Sequence, residues 1–361
     1  MKQVAFFSGP VLGHLARVFQ IAWNLERLGD FDITIFTPKK SVHLERLHRG
    51  KLTVQDLQVD LSRGRPRNVA MAERLDGLFE ERKFDAIVTD ICPVQWLSAV
   101  RFPDCPRVNV TNVFLTGYGR AETFQTELFA SGRDAINDIR AARGLSAAES
   151  AFAFYEADRV LLADPPALVE QFGDLAPNHV VCGPITLPEM SPLPGELAHL
   201  ESVLLLSMGS TGTSDIPPGI LSAVYDVTGS NATVYAGVNA DRFRSDPSVD
   251  YAFDWMPIET ILGRTNAVIT QGGTGATYQA LMVGKPVFVW PTHRNHAVLG
   301  DLLEQYGAAL NLDKPDWRAK LNATEFAKMR RRAADFAATD SSAGDGAAKA
   351  AKIVADLIDR V

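Results

Sequence analysis

Apolar positions follow two spacings along the chain, and each spacing predicts a different element. Apolar runs at residues 4–7 and 203–206, and the β-branched and aromatic run Ile-Thr-Ile-Phe at 33–36, have the length and character of buried strands. From Leu15 to Leu28, apolar residues recur at every third or fourth position, which predicts an amphipathic helix. Strands without polar alternation that are separated by helices are typical of parallel sheets, so the sequence predicts an α/β protein.

One stretch, residues 266–296, combines a strand, a helix and a cluster of glycines. A strand at 267–270 leads into Gly272, Gly273 and Gly275, a helix is predicted from Ala276, and a second strand follows at 287–290. Glycines at such a turn let the backbone approach a ligand closely, and the helix N-terminus adds a partial positive charge. The turn is therefore a predicted anion site, most often one for phosphate or pyrophosphate.

Four prolines between Gly183 and Gly195 occur without any periodic pattern, which indicates a linker. We predict an N-terminal domain over residues 1–184, a linker over 185–200, and a second domain over 201–342. A final helix is expected in residues 343–361. Helices are also predicted over 120–158 and, with a basic face, over 326–338.

Composition narrows the class of protein. The formal net charge is −7 over 361 residues, which argues against general affinity for nucleic acids or anionic membranes. Cys92, Cys105 and Cys182 are widely spaced and lack a paired motif, so neither a zinc site nor a disulfide framework is expected. The first residues lead directly into a strand, and no apolar run approaches the ~20 residues that span a bilayer. These features favour a cytoplasmic protein without a transmembrane segment.

The stretch around the glycine turn resembles the signature of nucleotide-sugar-dependent glycosyltransferases of the GT-B fold. The shared motifs are Trp255-Met256-Pro257, the Gln271-Gly272-Gly273 turn, Gly284-Lys285-Pro286, and Pro291 followed by a polar cluster. The likeness is to natural-product and plant small-molecule transferases and to the related peptidoglycan N-acetylglucosaminyltransferases. It implies two Rossmann-like domains facing a cleft, with the C-terminal helix crossing back to the N-terminal domain.

The resemblance further implies that the second domain binds a nucleoside diphosphate sugar, with UDP and dTDP equally open. In the family, the glycine turn binds the diphosphate, position 255 flanks the nucleobase, position 279 binds the ribose, and positions 295 and 296 contact the sugar. The expected donor-binding residues are Gly209, Ser210, Thr211, Trp255, Met256, Gln271, Gly272, Gly273, Thr274, Gly275, Ala276, Gln279, Asn295 and His296. No cofactor and no metal ion are expected, because GT-B enzymes generally use none.

Three positions depart from the family signature. Gln271 replaces a His that contacts phosphate, Gln279 replaces an acid, and Asn295-His296 replace Asp-Gln. All the replacements can form hydrogen bonds, but acidic partners for sugar hydroxyls are lost. The departures leave the sugar undecided, and they leave open a chain that binds nucleotide sugar weakly or not at all.

A general base is expected in the first domain, in the loop that follows the first strand. His14 is the candidate, because only imidazole titrates near neutral pH when unperturbed. Asp90 ends a neighbouring predicted strand, and its carboxylate would orient the imidazole as in a Ser-His-Asp triad. Gly13, Phe114 and Tyr118 are the expected acceptor contacts. His179 is expected at the surface.

The resemblance, together with these residues, implies an inverting, metal-independent glycosyltransferase of the hexosyltransferase type. It would transfer a sugar from a nucleoside diphosphate to a hydroxyl of a small-molecule or lipid-linked acceptor, and a homodimer is compatible with the sequence. Two alternatives remain open. One is a nucleotide-sugar 2-epimerase, which needs carboxylates around the sugar carbon, and the other is a non-catalytic partner or sensor that keeps the fold.

Overall fold

The structure, a computed structural model, describes most of the chain in eleven segments. They are residues 1–38, 44–47, 50–57, 69–90, 99–118, 129–149, 156–187, 192–209, 216–256, 258–340 and 345–360. The chain forms two compact units. Met1–Asp164, Val169–Ile185 and Asp345–Val361 make up the first, and Pro165–Leu168 with Thr186–Gly344 make up the second.

Strands and helices alternate along both units. The strands are β1 (Lys2–Phe7), β2 (Phe31–Thr37), β3 (Thr53–Asp56), β4 (Ala86–Asp90), β5 (Arg107–Thr111), β6 (Arg159–Leu162), β7 (His179–Val181), β8 (Val203–Ser207), β9 (Ala232–Ala236), β10 (Tyr251–Phe253), β11 (Thr265–Thr270), β12 (Val287–Val289) and β13 (Ala309–Asn311). The helices are α1 (Leu12–Leu28), α2 (Leu44–Leu47), α3 (Val69–Glu81), α4 (Phe129–Ala142), α5 (Pro166–Val169), α6 (Pro218–Thr228), α7 (Ala240–Arg244), α8 (Ile258–Leu262), α9 (Thr274–Met282), α10 (Arg294–Tyr306), α11 (Trp317–Lys320), α12 (Ala323–Asp340) and α13 (Gly346–Ile358).

The first unit is built on a seven-stranded parallel sheet in the order β3-β2-β1-β4-β5-β6-β7. The last four residues of β1, Val4 to Phe7, have no exposed surface, as their unbroken apolar character predicts. The strand order reverses between β1 and β4, where Phe7 lies opposite Thr89. Connections leave these two strands towards opposite sides of the sheet, which opens a crevice at their carboxyl ends.

The second unit is a six-stranded parallel sheet in the order β10-β9-β8-β11-β12-β13. Here the order reverses between β8 and β11, and the register pairs Ser207 with Thr270 at their carboxyl ends. The loops after these two strands therefore begin side by side. Two parallel-sheet α/β units confirm the predicted fold class.

The last helix, α13, belongs to the first unit and packs against α1. Asp345 caps its N-terminus by accepting hydrogen bonds from the amides of Ala347 and Ala348. Gly346 lies so close to the carbonyls of residues 183 and 184 that a Cβ there would be 2.5 Å from an oxygen. Lys349 Nζ also donates to the Val181 carbonyl at 2.6 Å. These contacts fix α13 on the first sheet.

Several predicted helix boundaries were wrong. The helix expected over 120–158 is α4, and residues 143–149 and 156–158 are not helical, while 119–128 and 150–155 lie outside the described residues. Gly144 ends α4 in the left-handed conformation, φ 68°, and Leu145 N donates back to the Arg140 carbonyl at 2.9 Å. The helix expected from Ala276 begins two residues earlier, at Thr274. Within the described segments, no helix is both long and apolar enough to cross a membrane.

Candidate functional site

His14 and Asp90 lie at the point where the strand order of the first sheet reverses. Asp90 is the last residue of β4, and His14 is the third residue of α1, which follows β1 after a short turn. The sequence predicted His14 in the loop, but the helix begins at Leu12. Its position in the first helical turn still places it at the carboxyl edge of the sheet, where ligands of open α/β sheets bind.

The two side chains form a direct hydrogen bond between His14 Nδ1 and Asp90 Oδ1. The Asp90 side chain is fully buried, whereas 29% of the His14 side chain is exposed. An ionised carboxylate only accepts, so His14 Nδ1 carries the proton in this bond. The other ring nitrogen, Nε2, is then the basic one in the neutral imidazole. This arrangement gives His14 the tautomer that a general base requires.

A buried arginine lies behind this pair. Arg17 Nη1 is 3.5 Å from Asp90 Oδ2, and its Nη2 donates to Asn112 Oδ1 at 3.1 Å. Asn112 in turn donates to Asp164 Oδ1 at 2.7 Å. Arg17 is 5% exposed, and the other residues of the network behind His14 are 2% exposed or less. The cation offsets the cost of burying the Asp90 carboxylate in the sheet edge.

Sequence reasoning missed this network, although one signal was present. Arg17 lies three residues after His14 on the same helix, and residues at that spacing share one face. An arginine in a helix that packs against a buried sheet needs an acidic or polar partner, since buried charges are paired. Asn112 and Asp164 follow the ends of β5 and β6, which places both at the same sheet edge as Asp90.

In the second unit, the glycine turn connects β11 to α9. Gly272 adopts φ 89°, and a Cβ there would lie 2.8 Å from the His296 carbonyl, so only glycine fits. Its amide donates to Thr270 Oγ1 at 3.0 Å and is therefore used within the protein. Gly273 is the N-cap of α9, and a Cβ on Gly275 would have no atom within 4 Å. The predicted contact between the Gly272 amide and an anion stays a prediction, and it would have to compete with this internal hydrogen bond.

Gln271 and His296, two of the departures from the family signature, contact the same threonine. Thr292 Oγ1 donates to Gln271 Oε1 at 3.3 Å and lies 3.0 Å from His296 Nδ1. The threonine hydroxyl has one proton, so His296 Nδ1 donates to it and His296 Nε2 is an acceptor. The Gln271 amide nitrogen packs directly against Gly209, after the end of β8. The two side chains thus lie beside the glycine turn in a fixed orientation.

Burial, together with the neighbouring His293, lowers the pKa of His296 from 6.5 to about 4. His296 is therefore neutral at physiological pH. The unfolded chain binds a proton at this residue below about pH 6.5, whereas the folded protein does so only near pH 4. Stability should then fall as the pH falls through this window.

Because of His296, we expect the unfolding free energy to be about 2 kcal/mol lower at pH 5 than at pH 7. Urea unfolding at the two pH values measures it, and His296→Gln should remove most of the difference, since the amide does not titrate. A variant that keeps the full pH dependence would show that another group is responsible. His199→Gln, at an exposed histidine that does not contribute to the pKa shift of His296, is the control.

The other expected donor-binding residues differ in their burial and in their contacts. Gln279 Nε2 donates to the Leu187 carbonyl at 3.1 Å, so its amide group already binds the protein. Met256 is buried, Trp255 and Asn295 are half-buried, and Ser210 and Thr211 lie outside the described residues. Thr274 and Ala276 lie in the first turn of α9 with Gly275. The contact of Gln279 within its own unit is one that the sequence did not indicate.

The three residues expected to contact the acceptor differ in how accessible they are. Phe114 is 2% exposed and belongs to the interior of the first unit, so its predicted contact with an acceptor stays a prediction that this burial does not favour. Tyr118 Oη accepts from the Ala176 amide at 2.5 Å, and its ring meets the edge of His179 at 5.3 Å. His179, predicted at the surface, is 8% exposed, and burial lowers its pKa. Gly13 has open space where a Cβ would be, beside His14.

Within the described segments, no three His, Cys, Asp or Glu side chains come together as metal ligands would. Burial raises the pKa of Cys105 to about 11 and that of Cys182 to about 12. Both thiols are therefore protonated near neutral pH and are poor metal ligands. Cys92 lies outside the described residues.

No family model matches the chain. A curated relative, the PGL/p-HBAD biosynthesis glycosyltransferase of Mycobacterium tuberculosis (strain ATCC 25177 / H37Ra), is 28% identical over 186 residues. That match covers 49% of this chain and 42% of the relative, so it spans less than half the length of that protein.

Solved structures match nearly the whole chain. The glycotransferase of kitacinnamycin superposes with a TM-score of 0.74 over 99% of this chain and 98% of its own, at 18% identity. Phytolacca americana UGT2, complexed with UDP-2fluoro-glucose and pterostilbene, gives a TM-score of 0.72 at 15% identity, over 99% of this chain and 100% of its own. At these identities the likeness concerns the fold, and it confirms the GT-B fold that the sequence indicated.

Proposed function

We propose that this chain is an inverting glycosyltransferase that transfers a sugar from a nucleoside diphosphate to a hydroxyl group of its acceptor. The hydrogen bond between His14 and Asp90, at the reversal point of the first sheet, carries the proposal. A buried carboxylate that fixes one ring nitrogen of a partly exposed histidine is the arrangement of a general base. The glycosyltransferase relative and the GT-B fold support the same class of reaction.

In the proposed reaction, His14 Nε2 removes the proton from the acceptor hydroxyl. The acceptor oxygen forms a bond to the anomeric carbon while the bond from that carbon to the diphosphate oxygen breaks. A single displacement of this kind inverts the configuration at the sugar. Asp90, held by Arg17, stabilises the imidazolium that forms, because its negative charge lies directly against Nδ1.

The leaving diphosphate would bind at the glycine turn. The first amides of a helix have no partner within the helix, and those of Gly275 and Ala276 begin α9 at the sheet edge. The Gln271 amide nitrogen, which lies against Gly209, is a neutral donor in the place of the family's histidine. These donors neutralise developing charge without a metal ion, so we propose metal-independent transfer.

Asn295 and His296 would contact the sugar. Since His296 Nε2 is an acceptor, it can receive a hydrogen bond from a sugar hydroxyl in place of a carboxylate. Its low pKa keeps it in that form at neutral pH. We therefore propose that the loss of the acidic residues alters donor choice and leaves donor binding intact.

One observation favours the alternative of a non-catalytic protein with this fold. The Gln279 amide, at the expected ribose position, already donates to the Leu187 carbonyl. Calorimetry with UDP and dTDP separates the two functions, because a transferase of this kind binds one of them. If neither binds, the enzyme proposal is wrong; if one binds, a mass-spectrometric screen of its sugar derivatives against an aglycone panel identifies the reaction.

Gly275→Ala tests the glycine turn without disturbing the fold. A Cβ at this position meets no atom within 4 Å, and alanine is favoured over glycine in a helix, so stability should be unchanged or slightly higher. The methyl group would occupy space beside the expected phosphates, and diphosphate affinity should fall about ten-fold or more. Calorimetry and thermal unfolding measure the two effects.

Gly272→Ala is the matched control, at the neighbouring glycine whose amide bonds within the protein. Its φ of 89° and the nearby His296 carbonyl should make this change destabilising by about 1–3 kcal/mol. Unaltered diphosphate affinity in Gly275→Ala would place the diphosphate elsewhere.

A further inference from the structure

A cavity of about 420 Å³ lies in the second unit at the amino end of β11 and β12. Thr265 and Asn266 form one side, the turn Gly284-Lys285-Pro286 forms another, and helix α12 forms the third. Gly284 adopts φ 71°, and a Cβ there would be 3.4 Å from Ala334 Cα, so the turn rests directly on α12. This volume is within the range of small-molecule sites.

One face of α12 lines the cavity. Ala327, Arg330, Arg331 and Ala334 have the i, i+3, i+4, i+7 spacing of a single helical face. The small side chains of the two alanines leave space for a ligand, and the two arginines lie between these alanines in the sequence. The core face of the same helix is separate, with Phe326, Met329, Ala333 and Phe336 buried. All four lining residues of α12 are exposed, so the cavity is open to solvent along the basic face that the sequence predicted for this helix.

Three cations meet at the cavity without an acid. Lys285, Arg330 and Arg331 are lining residues, and no carboxylate lines the cavity among the residues the structure describes. None of the three has a salt bridge within those residues, whereas the nearby Lys328 pairs with Glu325 at 2.7 Å. Such a concentration of positive charge is unexpected in a chain whose formal net charge is −7.

The pKa of Lys285 shows that the clustered positive charges disfavour one another. Burial and the adjacent Arg330 lower the pKa of Lys285 from its ordinary value. Both effects disfavour the charged ammonium, and the negative charge of a bound anion would offset them. The protein therefore holds a cluster of like charges that a ligand of opposite charge would stabilise.

We propose that this cavity binds a small polyanion that carries two or more phosphate groups. Guanidinium groups bind phosphate through paired N–H donors, and the ammonium of Lys285 adds a point charge from the neighbouring turn. The site is distinct from the glycine turn, since the six residues of β11 separate the two ends of the strand by roughly 17 Å. The proposal does not depend on glycosyl transfer.

Calorimetry with inorganic pyrophosphate tests the proposal on the full chain. The double variant R330Q/R331Q should weaken binding at this cavity about ten-fold to a hundred-fold, because two charge-assisted contacts are removed. K328Q/R332Q is the matched control: it removes two charges from the same helix but none from the cavity. It should leave pyrophosphate affinity within about two-fold.

Pyrophosphate can also bind at the glycine turn, so both double variants are measured in the Gly275→Ala background as well. Binding that persists with Gly275→Ala and disappears with R330Q/R331Q supports the cavity, whatever the outcome for the glycine turn. Equal weakening by the two double variants would show diffuse electrostatic attraction and overturn the proposal. So would binding of R330Q/R331Q with wild-type affinity.

A lipid headgroup carries the same phosphate chemistry, and vesicles of phosphatidylglycerol distinguish that source. We expect wild type to bind pyrophosphate and not to sediment with these vesicles. Sedimentation that R330Q/R331Q abolishes, without detectable pyrophosphate binding to the cavity, would contradict a small-molecule ligand.

Discussion

Replacing His14 with alanine should lower kcat by about 10²–10⁴ for any donor and acceptor pair that the protein uses. The reason is that His14 Nε2 would be the group that accepts the acceptor proton, and Asp90 holds the other ring nitrogen. His14→Gln should lose as much activity, because its amide can still bond Asp90 but cannot act as a base. Initial-rate kinetics with purified variants measure the effect.

Two controls accompany this prediction. His199→Ala, at an exposed histidine of the second unit, should keep wild-type kcat. The affinity of His14→Ala for a nucleoside diphosphate should also stay within about two-fold, because the glycine turn belongs to the other unit. Turnover by His14→Ala within a few-fold of wild type would exclude His14 as the base.

Asp90→Asn should damage both stability and activity, and a second substitution can separate the two effects. The neutral amide would leave the Arg17 guanidinium buried without its carboxylate, at a cost of about 3–5 kcal/mol in unfolding free energy. It would also remove the charge that orients and stabilises the imidazole, so kcat should fall by about 10²-fold or more. Urea unfolding and initial rates measure the two effects.

The double variant Arg17→Met with Asp90→Asn removes both charges from the interior. Replacing a buried ion pair by groups of similar volume is often neutral, so most of the lost stability should return. Activity should not return, because the carboxylate beside His14 is still missing. Recovery of kcat together with stability would mean that Asp90 has only a structural role.

The sheet edges were predictable from the sequence because they depend on short-range patterns. Unbroken apolar runs gave the strands, and residues directly after a parallel strand must lie at its carboxyl edge. For that reason Asp90 and His14 were expected near one another, and the structure places them in contact. The glycine turn was visible for the same reason, since clustered glycines at a strand–helix junction indicate a tight turn or a close approach of the backbone to a ligand.

Contacts that depend on long-range packing were not predictable. Nothing in the sequence near Gln279 indicates that its amide meets the Leu187 carbonyl, 92 positions earlier in the chain. His179 was expected at the surface, yet β7 packs its ring beside Tyr118. The cations Lys285 and Arg330 are 45 positions apart in sequence, so only the fold shows that they share a cavity.

The attachment of α13 to α1 has a consequence for how the chain matures during synthesis. The N-terminal lobe needs this helix, but the ribosome reaches Asp345 only after it has made every residue of the second unit. Until then, the part of the apolar face of α1 that α13 covers is exposed. Chaperones or other nascent chains can bind to it during this time. The lobe that begins folding first is therefore the one completed last.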